Sequence, residues 1–135
     1  FNAASILLSG DEALAVELKY KCCLEMGLNA AAIKNHKDRA ALILLSPDYS
    51  DALVRCATGG GYSSAWTMIA LSNITLHKIK MLYPMVNCLK DLAVRTVNTL
   101  TEPSTNVLED KTLRIIFMEG GVKEDLDSKS LCPRF

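Results

Sequence analysis

The first strong pattern is a set of apolar side chains that recur every four residues, at Leu14, Leu18, Cys22 and Met26. Because this interval is close to one helical turn, the pattern predicts a helix over 11–26 that buries one face. Ser9 and Glu12 have the spacing of a capping box at the start of this helix. Gly27 is the residue at which we expect the helix to stop. A short apolar helix over 1–8, which ends at Ser9-Gly10, is predicted before it.

Three more helices are predicted in the first half of the chain. The Ala-rich residues 28–35 form one, and the polar residues 36–39 follow it as an interruption. Another is predicted over 49–56, with Ser46 or Asp48 as its cap. The third has an apolar face made by Tyr62, Trp66, Ile69, Ala70 and Ile74, with Ser63 and Ser64 as cap candidates. Residues 40–45 fit a buried strand or a helical turn, and periodicity does not decide between them.

Strand patterns fill the second half of the chain. Apolar and polar positions alternate over 78–83 and again over 113–118, and a further strand is expected within 93–100. Helices that precede strands in this order predict an α+β fold, in which helices pack on a small, mostly antiparallel sheet. We expect one domain over 1–121 and a polar, disordered tail over 122–135.

Composition narrows the possible classes of protein. The chain has 135 residues, of which 50% are hydrophobic, so it is long enough to bury the core of one domain. Its 15 basic residues balance 15 acidic ones, so no overall field attracts it to nucleic acid or to an anionic membrane. The longest apolar run, 40–45, is far shorter than the roughly 20 residues of a membrane span. We therefore expect no membrane association and an intracellular location, in the nucleus or the cytoplasm.

The cysteines and histidines have no spacing that indicates a metal or cofactor site. The five cysteines are Cys22, Cys23, Cys56, Cys88 and Cys132. An odd number without regular spacing argues against a disulfide framework and favours reduced, structural thiols. His36 and His77 lack a partner at ligand spacing, and His77 is expected at the surface, in a turn. We predict no metal, no cofactor and no catalytic residue within these residues.

The remaining motifs also have structural explanations. The glycines at 59–61 lack the Gly-Lys-Ser/Thr that completes a phosphate-binding loop, so a hinge or tight turn is expected. Capping explains Ser63 and Ser64 better than a nucleophilic role does. Tyr62 and Trp66 with Lys78 and Lys80 would suit a nucleic-acid surface, but the local basic density is low and core packing is favoured.

Three segments together resemble the OTU-like family, which has the papain-like cysteine protease fold and includes vertnin and proteins of animal DNA transposons. The first segment is FNAASILLSGD at 1–11, which continues through Glu17-Leu18-Lys19 to Glu25-Met26. The second is YSSAW at 62–66, followed by Ala70-Leu71-Ser72, Ile79 and YPMVN at 83–87. The third is TLRIIF at 112–117. Their order and spacing are similar to the family's, and the resemblance covers most of 1–118.

The resemblance implies that this chain is an internal fragment of an OTU-like domain, incomplete at both ends. In active members an Asp-Gly-Asn-Cys loop carries the nucleophile, and that position would lie before Phe1. The catalytic His would follow the strand that ends at Phe117. No His follows Phe117 in this chain, so that position is either lost or lies beyond Phe135. No catalytic residue can therefore be transferred from the family to this sequence.

Three functions remain open after this comparison. The first is a non-catalytic OTU-like module of a vertnin-like nuclear regulatory protein, acting through protein or DNA-associated partners. The second is a truncated OTU-type cysteine protease that acts on ubiquitin conjugates. The third is a degenerate, transposon-derived copy without function. Ubiquitin or nuclear proteins are the expected partners, and no nucleic-acid-binding signature lies in the chain itself.

Overall fold

The computed structural model describes residues 1–37, 48–58, 64–82, 100–105 and 112–116, and these residues form an α+β fold. Its helices are α1 Asn2–Ser9, α2 Ala15–Leu28, α3 Ala30–Lys34, α4 Tyr49–Thr58 and α5 Ala65–Thr75. Its strands are β1 Lys78–Leu82, β2 Leu100–Thr101 and β3 Thr112–Ile116. None of the helices within these ranges combines the length and apolar character that a membrane span requires.

The connection between α1 and α2 is held by a buried serine and not by the expected capping box. Gly10 ends α1 in the left-handed conformation, with φ of 89°, as the sequence predicted. Ser9, however, is the last residue of α1, and its hydroxyl bonds the Ser5 carbonyl at 2.9 Å. The Ser5 hydroxyl donates to the Asp11 carbonyl at 2.7 Å and accepts the Leu14 N–H at 3.0 Å. The capping-box prediction was therefore wrong, and α2 starts after this turn.

The end of α2 also differs from the prediction, because Gly27 lies inside the helix. The helix continues to Leu28, and the chain bends at Asn29, whose N–H still bonds the Glu25 carbonyl at 2.9 Å. Helix α3 then follows directly, as its Ala-rich sequence indicated. His36 lies beyond the end of α3, where the polar interruption was predicted, but its side chain is buried with 7% of its surface exposed.

Helix α5 is the central element of the described structure. It contacts α2, α3, α4, β1 and β2. Every residue from Trp66 to Ser72 is buried, so the expectation of a single buried face was wrong for this stretch. Its start follows the prediction, because the Ser64 hydroxyl accepts the Thr67 N–H at 3.2 Å as an N-cap.

The three strands form a mixed sheet in the order β2-β1-β3. β1 pairs with β2 antiparallel, with Ile79 opposite Thr101, and with β3 parallel, from Lys78 opposite Thr112 to Leu82 opposite Ile116. The expected alternation is confirmed, because Ile79, Met81, Leu113 and Ile115 are all buried. The prediction of a mostly antiparallel sheet was wrong for these strands. Alternation shows which face is buried but carries no information about strand direction.

The core joins one face of the sheet to α2, α4 and α5. Tyr49 and Trp66 meet edge to face within it, with ring centroids 5.4 Å apart. The Tyr49 hydroxyl donates to the Met26 carbonyl at 2.6 Å, which fastens α4 to the end of α2. Several predictions fall outside the described residues: the segment 40–45, the glycines 59–61, Tyr62, Ser63, the residues 83–99, Cys88, Cys132 and the tail 122–135.

Candidate interaction surface on helix α2

Helix α2 has apolar side chains on two opposite sides. One side packs on the core through Ala15, Leu18, Cys22 and Met26, all buried. This is the face that the four-residue periodicity predicted, apart from Leu14, which precedes the helix and is only partly buried. The opposite side of α2 faces the solvent.

The exposed side carries a second row of large apolar residues, which we call the α2 stripe. Its members and their exposed fractions are Val16 63%, Tyr20 65%, Leu24 62% and Leu28 81%. Residues four apart lie next to each other on a helix, so the stripe is a continuous ridge along α2. Scattered exposed hydrophobic residues are normal in soluble proteins, but a contiguous apolar patch marks an interaction surface.

Charged residues also lie beside the α2 stripe, and two of them form an ion pair. Glu17 and Lys21 lie beside it and pair with each other at 2.6 Å. Gly27 lies on the same side between Leu24 and Leu28, and a Cβ added there would meet nothing within 4 Å. The result is an apolar ridge with a low point at which another backbone could approach closely.

Sequence reasoning missed the α2 stripe because it assigned only one apolar face to this helix. Val16, Tyr20, Leu24 and Leu28 repeat with the same interval as the buried series, offset by two positions. Two interleaved four-residue series in one helix are the signal that could have identified it. The pattern predicts that one of the two faces remains outside the core, although it does not say which.

The cysteines of α2 and α4 lie at the interface between these helices. Cys22 is fully buried, and burial raises the pKa of its thiol far above the ordinary value. Cys56 is 8% exposed, and burial followed by the hydrogen bond from Cys23 raises the pKa of its thiol to about 12. Cys23 is partly buried, and its Sγ lies 3.3 Å from the Cys56 Sγ. A nucleophilic cysteine needs a lowered pKa, so neither Cys22 nor Cys56 is prepared for catalysis.

Both histidines bond main-chain carbonyls. His36 Nε2 lies 2.9 Å from the Glu102 carbonyl, and His77 Nδ1 lies 2.6 Å from the Thr75 carbonyl. The prediction that His77 is a surface residue was wrong. Its ring folds back on the end of α5, and its own carbonyl accepts the Ser72 hydroxyl at 2.7 Å.

Charged side chains converge on Glu102, next to β2. Lys37 forms an ion pair with its carboxylate, and the Lys78 Nζ lies 3.9 Å away. The hydrogen bond from Lys37 is the main cause that lowers the pKa of Glu102 below its ordinary value. The Glu102 side chain is partly exposed, with 32% of its surface accessible, so this is a surface cluster that joins the loop after α3 to the sheet.

The structure does not support the nucleic-acid surface that the aromatic and basic residues could have formed. Trp66 is buried in the core, as favoured in the sequence analysis, and Ser64 acts as a cap. Within the described ranges, no group of three His, Cys, Asp or Glu side chains is arranged to hold a metal ion. No protein-family model, curated protein or solved structure matches the chain, so membership of the OTU-like family stays a prediction.

Proposed function

We propose that this chain is a non-catalytic, OTU-like module of a vertnin-like nuclear regulatory protein, and that it acts by binding a protein partner through the α2 stripe. The observation that carries the proposal is the exposure of Val16, Tyr20, Leu24 and Leu28 in one row. The resemblance of the sequence to OTU-like proteins supplies the expected architecture and the nuclear setting.

The shape of the α2 stripe favours an amphipathic helix as the bound element. Ridges of residues four apart pack into the corresponding grooves of another helix at a crossing angle near −50° in the commonest class of helix packing. Gly27 lies beside this row and has no side chain, so it leaves room there for such a helix to approach. Large apolar side chains with an aromatic residue among them are also typical of the centre of protein interfaces.

The charges around the α2 stripe argue for a protein partner over a polyanion. Glu17 and Lys21 neutralise each other, and the whole chain has a net charge of zero. Binding to nucleic acid or to an anionic membrane depends on clustered Lys and Arg, and the stripe has no such cluster along its described edge. The surface on a partner that would complement the α2 stripe is therefore an apolar helical face with few charges.

The test uses the full chain with the photo-crosslinking residue benzoylphenylalanine in place of Tyr20, exposed to nuclear extract. We expect a covalent adduct with a protein whose crosslinked peptide is an amphipathic helix, and we expect Leu24→Asp to abolish it. The matched control carries the same residue in place of Ser50, which is exposed on α4. Equal crosslinking at both positions, or adducts only between copies of this chain, would contradict the proposal.

A second arm tests the non-catalytic part of the proposal. A ubiquitin-based thiol-reactive probe is added to the chain beside the same reactive group without ubiquitin. We expect no reaction that depends on ubiquitin, because the nucleophile position that the resemblance implies lies before Phe1 and burial holds the Cys22 and Cys56 thiols neutral. A ubiquitin-dependent adduct would show that a cysteine within this chain is a nucleophile, and it would contradict the non-catalytic module. Absence of any stripe-dependent adduct would favour the degenerate copy.

A further inference from the structure

Two thiols from different helices meet at the interface of α2 and α4. The Cys23 Sγ and the Cys56 Sγ are 3.3 Å apart although the residues are separated by 33 positions in sequence. A disulfide needs about 2.05 Å between the sulfur atoms, so small side-chain rotations would bring the two within bonding distance. The helices are already packed against each other, so the two thiols are in contact in the reduced fold.

We propose that Cys23 and Cys56 are a reversible disulfide site that hydroperoxides oxidise. Cys23 is the thiol that meets the oxidant, because it is partly exposed whereas Cys56 is buried. Cys56 is the resolving thiol, because it already lies against Cys23. Cys22 is protected, since it is fully buried and its side chain leaves the helix about 100° away from that of Cys23.

The reaction takes place in two steps with hydrogen peroxide as the oxidant. The Cys23 thiol first loses its proton to become a thiolate, which attacks one peroxide oxygen. The O–O bond breaks, and the departing hydroxide takes up the proton that the thiol released, which forms water. The Cys56 sulfur then attacks the Cys23 sulfenic sulfur, the S–O bond breaks, and the hydroxide released takes the Cys56 proton. Two thiols lose two electrons in total, and one hydrogen peroxide is reduced to two waters.

Closing this bond would tie α2 to α4 and restrict the unfolded chain. A loop of this length is expected to raise the Tm by roughly 5–15 °C if the native geometry is kept. The high pKa of Cys56 makes the second step slow at neutral pH, and its rate should increase as the pH rises towards about 12. This site is independent of the α2 stripe and of the partner proposed for it.

The experiment uses the full chain with Cys88→Ser and Cys132→Ser, which leaves the three cysteines of α2 and α4. Hydrogen peroxide is expected to lower the intact mass by about 2 Da, for the loss of two hydrogen atoms, and dithiothreitol should restore it. Fragmentation of the non-reduced digest should join Cys23 to Cys56. Far-UV circular dichroism before oxidation confirms that each variant is folded.

Single substitutions show which thiols are joined. Cys23→Ala and Cys56→Ala should each abolish the mass loss, whereas Cys22→Ala should retain it. The same oxidation in urea should lose its selectivity and join Cys22 and Cys23 to Cys56 alike, because the packing that selects Cys23 is gone. A folded protein that forms no internal link under peroxide, or that joins Cys22 to Cys56, would overturn the proposal.

Discussion

Replacing Trp66 with alanine tests whether the core has been identified correctly. Trp66 is 6% exposed at the start of α5, and its ring meets Tyr49 edge to face at 5.4 Å. Removing a buried tryptophan side chain costs about 3–5 kcal/mol, because the lost apolar contacts leave a cavity. About 0.5–1.5 kcal/mol of such a loss belongs to the contact between the two rings.

The loss is measured by urea unfolding followed by far-UV circular dichroism. With a slope of about 1–3 kcal/mol per molar urea, the midpoint should fall by roughly 1–5 M. Trp66 is the only tryptophan of the chain, so the fluorescence of the unsubstituted protein independently reports its burial. A red-shifted emission maximum in the folded protein would contradict the position described for the ring.

Tyr20→Ala is the matched control, because Tyr20 is an aromatic residue of α2 that is 65% exposed. Its removal should change the free energy of unfolding by no more than about 0.5 kcal/mol. The reasoning would be refuted if Trp66→Ala lowered stability by less than about 1 kcal/mol, or if the two substitutions had equal effects. The first outcome would place Trp66 at a surface, and the second would show that Tyr20 contributes as much to stability as Trp66 does.

Three further substitutions test contacts other than the one between the Tyr49 and Trp66 rings. Tyr49→Phe keeps the ring but removes the hydrogen bond to the Met26 carbonyl, and should lower the free energy of urea unfolding by about 1–2 kcal/mol. Ser64→Ala removes the N-cap of α5 and should lower it by about 1 kcal/mol in the same assay. The lowered pKa of Glu102 stabilises the fold above its ordinary value of 4.5, and this contribution is lost as the pH falls through the lower folded pKa. Glu102→Gln, which weakens the pairing with Lys37, should therefore make the decrease of the Tm below pH 4.5 shallower.

The features that the sequence predicted correctly depend on local chemistry. Gly10 ends α1 because a residue without Cβ adopts the left-handed conformation easily. Ser64 caps α5 because its hydroxyl reaches an N–H of the first turn. The alternation over β1 and β3 follows from the two faces of a strand, so Ile79 and Leu113 were identified as buried.

The features that it did not predict depend on contacts between distant residues. Ser9 has the sequence of a cap, but the buried Ser5 hydroxyl bonds both sides of the turn instead. His36 is buried because its ring meets the Glu102 carbonyl, 66 positions away in sequence. The parallel pairing of β1 with β3 depends on the path of the chain between them, which periodicity does not contain.

The two apolar faces of α2 explain why the candidate surface could not be assigned from sequence. Hydrophobicity alone does not choose which face packs on α5, since both rows consist of apolar side chains at the same interval. A polar contact also distinguishes the two orientations of the helix. Glu25 accepts the Asn73 amide of α5 at 2.8 Å and the Asn29 amide at 2.7 Å.

The bond from Asn73 favours the observed orientation of α2, in which the second row is exposed to solvent. An exposed row of this kind contributes nothing to the packing of the described core, and polar residues at Val16, Tyr20, Leu24 and Leu28 would serve the isolated fold equally well. Such residues would also lower the tendency to associate. The binding that we propose for the α2 stripe would account for large apolar side chains at these positions, and Leu24→Asp separates that use from any role in folding.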